Sequence, residues 1–171
     1  MNRKTVIPVV AAFVGVLVLA GGGRGEEKES PGVDWKALGA AKASLEKGLA
    51  AAQPKGKPVS GKFEMDNGKL QLSVYTASHG KFWEVILDHT SGKVSKTEEI
   101  KEGEDLSAAK AQSEAMAKAK KSLSSAVGKA VAANAGYRAV SVVPTLEKGK
   151  PVATIVLENA PGTKTVSESL D

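Results

Sequence analysis

Hydrophobic residues change their spacing several times along this chain, and each change marks an element. From Asp34 to Gln53 they recur every three or four positions: Leu38, Ala41, Leu45, Leu49 and Ala52, with Lys36, Lys42, Glu46 and Lys47 off that face. This spacing predicts one helix with Asp34 as its N-cap. Pro54-Lys55-Gly56-Lys57-Pro58 ends it. The period then drops to two. Val59, Gly61, Phe63 and Met65 alternate with Ser60, Lys62 and Glu64, and Asp66-Asn67-Gly68-Lys69 is a hairpin turn. Leu70, Leu72 and Val74 are expected to face in, with Gln71, Ser73 and Tyr75 out. After Ser78-His79-Gly80 comes a strand from Lys81 to Leu87, then the turn Asp88-His89-Thr90-Ser91-Gly92, then a strand from Val94 to Ile100. A helix followed by an antiparallel meander buried on one face is an α+β layer.

Lys101-Glu102-Gly103-Glu104 interrupts the pattern, and Leu106 to Asn134 is helix-rich, with many alanines. Unbroken, it would run roughly 40 Å, more than one small sheet can cover, so a break is expected near Lys120–Ser124. Asn134-Ala135-Gly136 stops it. Strands are expected at Tyr137–Leu146, with Pro144 at an edge or a bulge, and at Val152–Leu157 and Lys164–Leu170.

The two halves repeat. Val85-Ile86-Leu87-Asp88 lies over Ile155-Val156-Leu157-Glu158, Gly92 over Gly162, and Thr97–Ile100 over Ser167–Leu170. An acidic side chain at the start of such a turn accepts backbone N–H groups, and Gly at its end takes a positive φ without a Cβ penalty. Asp88, Gly92, Glu158 and Gly162 are therefore the candidate turn motif. Strand, acidic residue, short polar gap, Gly, strand resembles the closing hairpin of the PepSY domain. The first copy, with Gly92-Lys93-Val94, follows the family pattern; the second departs from it, with Glu158 for Asp and Thr163 for Lys. The resemblance implies an α+β fold of two tandem units, each a helix packed on an antiparallel β-meander. They would occupy residues 33–100 and 104–171 of the 171. Each is of a size at which a lone core is marginal, so the units are expected to pack together or share a sheet.

Residues 1–23 read as a secretory signal peptide: Asn2-Arg3-Lys4, an apolar run from Val6 to Ala20, then Ala20-Gly21-Gly22. Gly22 stands where a lipobox would carry its Cys, so no lipid is attached there. Residues 24–32 form a charged linker. An exported, periplasmic or extracellular location follows, with membrane attachment only if the leader stays uncleaved.

Net charge is +5, two of it from Arg3 and Lys4 in the leader. Only two arginines follow the leader, Arg24 and Arg138, and 4% of residues are aromatic, which argues against a nucleic-acid surface. There is no cysteine, so disulfides and thiolate metal sites are excluded. His79 and His89 fall in turns and do not form a metal pair by spacing. Asp66-Asn67-Gly68 lacks the remaining ligands of a calcium loop, and no serine sits in a nucleophile elbow. Trp83 is expected in the sheet core, while Trp35 is either a staple or a contact residue.

No catalytic, cofactor or metal residue is expected, and the chain does not read as an enzyme. The resemblance implies a non-catalytic binding module with a protein partner, such as a restrained peptidase, or a role as a cell-envelope interaction protein. The alternatives are a surface-association protein for anionic lipid or polysaccharide and, behind it, a small metal-dependent envelope enzyme.

Overall fold

The computed structural model describes Val33, residues 35–159 and residues 162–171. The expected signal peptide, the linker and the Asp34 cap lie outside the described residues. Among the described residues the fold is α+β: a seven-stranded antiparallel sheet and four helices. In chain order the elements are α1 (Trp35–Ala40), α2 (Leu45–Ala52), a 3-10 turn (Gln53–Lys55), β1 (Lys57–Asp66), β2 (Lys69–Ser78), β3 (Lys81–Leu87), β4 (Val94–Ile100), α3 (Gly103–Lys118), α4 (Leu123–Ala133), β5 (Arg138–Glu147), β6 (Lys150–Asn159) and β7 (Gly162–Ser169). The sheet order is β4-β3-β2-β1-β5-β6-β7. The two halves of the chain therefore share one sheet, joined where β1 meets β5 through Gly61↔Val142 and Lys62↔Ser141.

Register explains the core. One row runs across all seven strands: Thr97, Val85, Val74, Gly61, Val142, Ile155 and Val166. Gly61 is the gap in this row of branched side chains, and α2 fills it. A Cβ built there would sit 3.2 Å from Leu45 and 3.3 Å from Leu49. The helix can approach closely because the strand beneath it has no side chain at that point. α4 packs beside α2 on the same face, adding Leu123, Ala126, Val127 and Ala130 to the buried cluster.

The opposite face is not left to solvent. Ser60 pairs with Tyr75, one position off the Gly61 row, so both point away from α2. The Ser60 hydroxyl is hydrogen-bonded to Gln112 Oε1 of α3 at 2.7 Å. The Lys57 ammonium donates to the Met116 carbonyl at 2.7 Å. Thus α3 lies over one face and α4 over the other, and the expected break falls at residues 119–122. Small alanines, Ala109 and Ala115, let α3 sit close to the sheet. This corrects the expectation of a meander buried on one face only. Ser73 and Tyr75, expected to point out, are fully buried, because α3 supplies a third layer.

The single helix expected over Asp34–Gln53 is two. Ser44 ends the break between α1 and α2, its hydroxyl accepting from Lys47 N at 3.2 Å as an N-cap. Ser122 does the same for α4, accepting from Ser125 N at 3.1 Å. Pro144 lies inside β5 but beyond the two-residue ladder with β1, so no central pairing needs its missing N–H.

Candidate binding surface: an open sheet edge beside a polar face

The turn motif is built as the spacing of Asp88 and Gly92 demands. Asp88 Oδ1 accepts from Ser91 N at 2.6 Å, Ser91 Oγ at 2.7 Å and Thr90 N at 3.2 Å. These bonds hold its carboxyl below the usual range. Gly92 has φ +72° and donates its N–H to the Asp88 carbonyl at 2.7 Å. Between them the His89 carbonyl faces inward and accepts from Lys42 N at 3.0 Å and Ala43 N at 2.9 Å. The turn is thus a docking point for the break between α1 and α2. Two consecutive amides of the break itself find their acceptor there.

Three carbonyls beside the same break are bonded by Arg138, at the start of β5. Its guanidinium donates to Ala41 O at 2.7 Å, to Leu38 O at 3.0 Å and to Ala43 O, and lies 5.2 Å from the Phe63 ring centroid. Burial pushes its pKa down. Sequence reading missed this residue. The signal was its being the one arginine after Arg24. A planar fork of five donors suits several carbonyls at once, which lysine cannot match.

Glu158 and Gly162 stand elsewhere. Glu158 lies within β6, almost wholly buried, paired in register with Arg138 and Thr163. Its Oε2 has no hydrogen-bond partner, and burial raises its pKa. Gly162 opens β7 opposite Asn159. The residues between them include Ala160 and Pro161, outside the described residues. β3 and β6 each lie two strands from the middle strand β1. The α3–α4 break docks on the end of β7: Lys120 N and Lys121 N donate to the Leu170 carbonyl at 2.8 and 3.0 Å.

Beside α3 the sheet carries a polar network. The Tyr75 hydroxyl donates to Glu84 Oε1 at 3.2 Å, and Gln71 Nε2 donates to Ser73 Oγ at 2.8 Å. Lys62 pairs with Glu64 at 2.8 Å and sits 5.8 Å from the Tyr75 ring centroid. Burial raises the pKa of Tyr75, Glu84 and Asp105, the nearby carboxylates adding to it for Tyr75. No group of three or more metal-ligating side chains occurs among the described residues. His79 bonds Ser78 Oγ at 2.8 Å, and His89 is used through its backbone. The recesses are shallow: one of about 240 Å3 lies between Pro58, Met116 and Leu123, another of about 380 Å3 between Lys69, Gln71 and His89.

The two edges of the sheet differ. β7 is braced by α4: Lys129 pairs with Glu168, and Lys164 Nζ donates to Asn134 Oδ1 at 2.8 Å. β4 packs substantially on β3 alone among the described elements. Its outer rim has no partner strand among the described residues, Val94 is 42% exposed, and Lys96 pairs with Glu98 at 2.8 Å, both exposed. No helix of the described residues is long and apolar enough to cross a membrane.

No protein-family model and no curated protein matches the chain. Among solved structures, a crystal structure of a "putative lipoprotein" from Clostridium difficile 630 is similar at 12% identity and a TM-score of 0.40, over 67% of this chain and 75% of that one.

Proposed function

We propose that this chain is an exported, non-catalytic, PepSY-like binding protein that receives an extended segment of a protein partner on the free edge of β4. One observation carries the reading: β4 is a seven-residue edge strand that no described helix covers, while the other edge is braced by α4. An unpaired row of N–H and C=O groups is a template for an added strand, and backbone bonds supply the affinity. A restrained peptidase, whose chain near its active site is extended, is a partner of the right shape. The export half of the reading rests on the leader pattern of residues 1–23.

The tandem-unit reading has support from the two helix breaks. Ala41-Lys42-Ala43-Ser44-Leu45 and Ala119-Lys120-Lys121-Ser122-Leu123 are alike in sequence. Each ends in a serine N-cap, and each donates two consecutive amides to one carbonyl, His89 or Leu170. Each is followed by a strand with a bulge at Val-Ser, at Val59-Ser60 and Val140-Ser141. In this register β1, β2 and β3 answer to β5, β6 and β7, and β4 is the addition to the first unit.

Amide hydrogen exchange of the protein with and without its envelope partner tests the function. Strand addition protects the amides of residues 94–100, and the protection survives high salt. Binding that leaves β4 unprotected, or that high salt abolishes, would instead favour surface association with an anionic polymer.

A further inference from the structure

We infer that β4 pairs with β4 of a second copy, antiparallel and centred on Thr97, so that two seven-stranded sheets become one. The inference rests on β4 being a pairing edge and names the strand it takes.

A two-fold axis normal to the sheet keeps every side chain on its own face, so opposite residues must be an even number of positions apart. That leaves five centres within the strand. Centring on Lys96, Glu98 or Glu99 sets like charges opposite each other, and centring on Ser95 leaves the last residues of β4 unpaired. Centring on Thr97 lies within the regular part of the strand: Lys96 falls opposite Glu98 twice and Thr97 opposite itself. Opposite charges face to face stabilise a strand pair, and like charges oppose it. Lone lysines on edges usually block pairing. Here each lysine has a carboxylate waiting two residues on, and in the antiparallel arrangement the charges cancel across the seam. The irregularity of the β3–β4 ladder at Ser95 lies outside the two Lys96–Glu98 pairs. β7 offers no such edge, because its Lys164 and Glu168 are already held by α4.

The contact is one strand wide, which makes the dimer weak and concentration-dependent. Sedimentation of the protein as isolated from its native source, over a range of concentrations, should show monomer and dimer in exchange. Lys96→Glu sets a second carboxylate opposite Glu98 and Glu98→Lys sets two ammonium groups together, so each variant should sediment as monomer. An equimolar mixture of the two variants restores opposite charges at both pairs and should dimerise again. Circular dichroism checks that each is folded; both positions are exposed, and the local ion pair contributes little. A monomeric wild type at every concentration, or a dimer that both single substitutions leave intact, overturns the inference. A monomeric wild type whose β4 amides are still protected by an envelope partner overturns it while leaving the binding reading intact.

Discussion

The guanidinium of Arg138 donates to the carbonyl of Ala41 at 2.7 Å across 97 residues of chain. Through Leu38 and Ala43 as well, it closes the break between α1 and α2 together with the His89 carbonyl. Arg138→Met takes the guanidinium from three part-buried carbonyls, of which Leu38 O keeps the Ala41 N–H at 3.1 Å. The expected loss is about 2–3 kcal/mol, or a Tm fall of roughly 4–12 °C for a chain this size. Arg138→Lys should recover only part of it, because one ammonium cannot span the three acceptors. Urea midpoints of the two variants check this.

Gly92 sits at φ +72°, and a Cβ there would meet Lys47 Cε at 3.2 Å and Ala43 Cβ at 3.4 Å. Gly92→Val combines left-handed strain with pressure on the helix break, and should cost on the order of 1–3 kcal/mol. Equal urea midpoints for wild type and variant would show that the turn tolerates a side chain.

The bond from Ser60 to Gln112 fastens α3 to its face of the sheet. Gln112→Leu strands a buried hydroxyl, at about 1–3 kcal/mol. Adding Ser60→Ala should cost less than the two separate losses together. A double-mutant cycle measures the coupling, and additivity would mean that the bond is not formed in solution.

Glu158 gives the protein a pH dependence whose sign is fixed by burial. Its pKa is raised on folding, so the folded chain holds the proton more tightly than the unfolded one. Its contribution is fully present below the ordinary glutamate value and is lost as pH rises through the folded value. Glu84 and Asp105 act in the same direction, whereas the lowered pKa of Asp88 acts in the opposite one. Glu158→Gln should flatten the loss of stability between mildly acid and neutral pH and stabilise the protein at pH 7. Thermal melts of both proteins across that range test it; parallel curves would exclude Glu158 as the source.

Both tryptophans, Trp35 and Trp83, belong to the first half of the chain. Because β1 pairs with β5 and α3 packs on β1, β2, β5 and β6, the halves should unfold together. Tryptophan fluorescence and far-ultraviolet circular dichroism should then give coincident urea transitions. A second transition seen by circular dichroism alone would mean that residues 104–171 unfold separately.

The strands and hairpins were legible because alternation and Gly-containing turns are local signals, and the break before Ser122 followed from helix length against sheet size. The break before Ser44 was not, since Leu38, Ala41 and Leu45 keep helical spacing straight through it. What opens it is distant: a carbonyl at His89 and a guanidinium at Arg138. Burial of Ser60, Ser73 and Thr76 was hidden for a related reason. Small polar residues read as outward-facing until a second layer, here α3, is known to lie above them. Of the turn motif, Asp88 and Gly92 take the geometry their spacing implies, while Glu158 lies inside a strand, a placement that the apolar-acidic pattern alone does not separate from a turn.

The joint between α1 and α2 has a consequence for synthesis. The helices leave the ribosome early, yet the group that seals their junction is translated 97 residues after Ala41. At about 5–20 residues per second that interval is roughly 5–20 s. Throughout it, the amino-terminal part of the chain has its side chains but not its last clasp, and its final structure waits on the arrival of β5. Folding of the earliest residues is thereby timed by a residue near the far end of the chain.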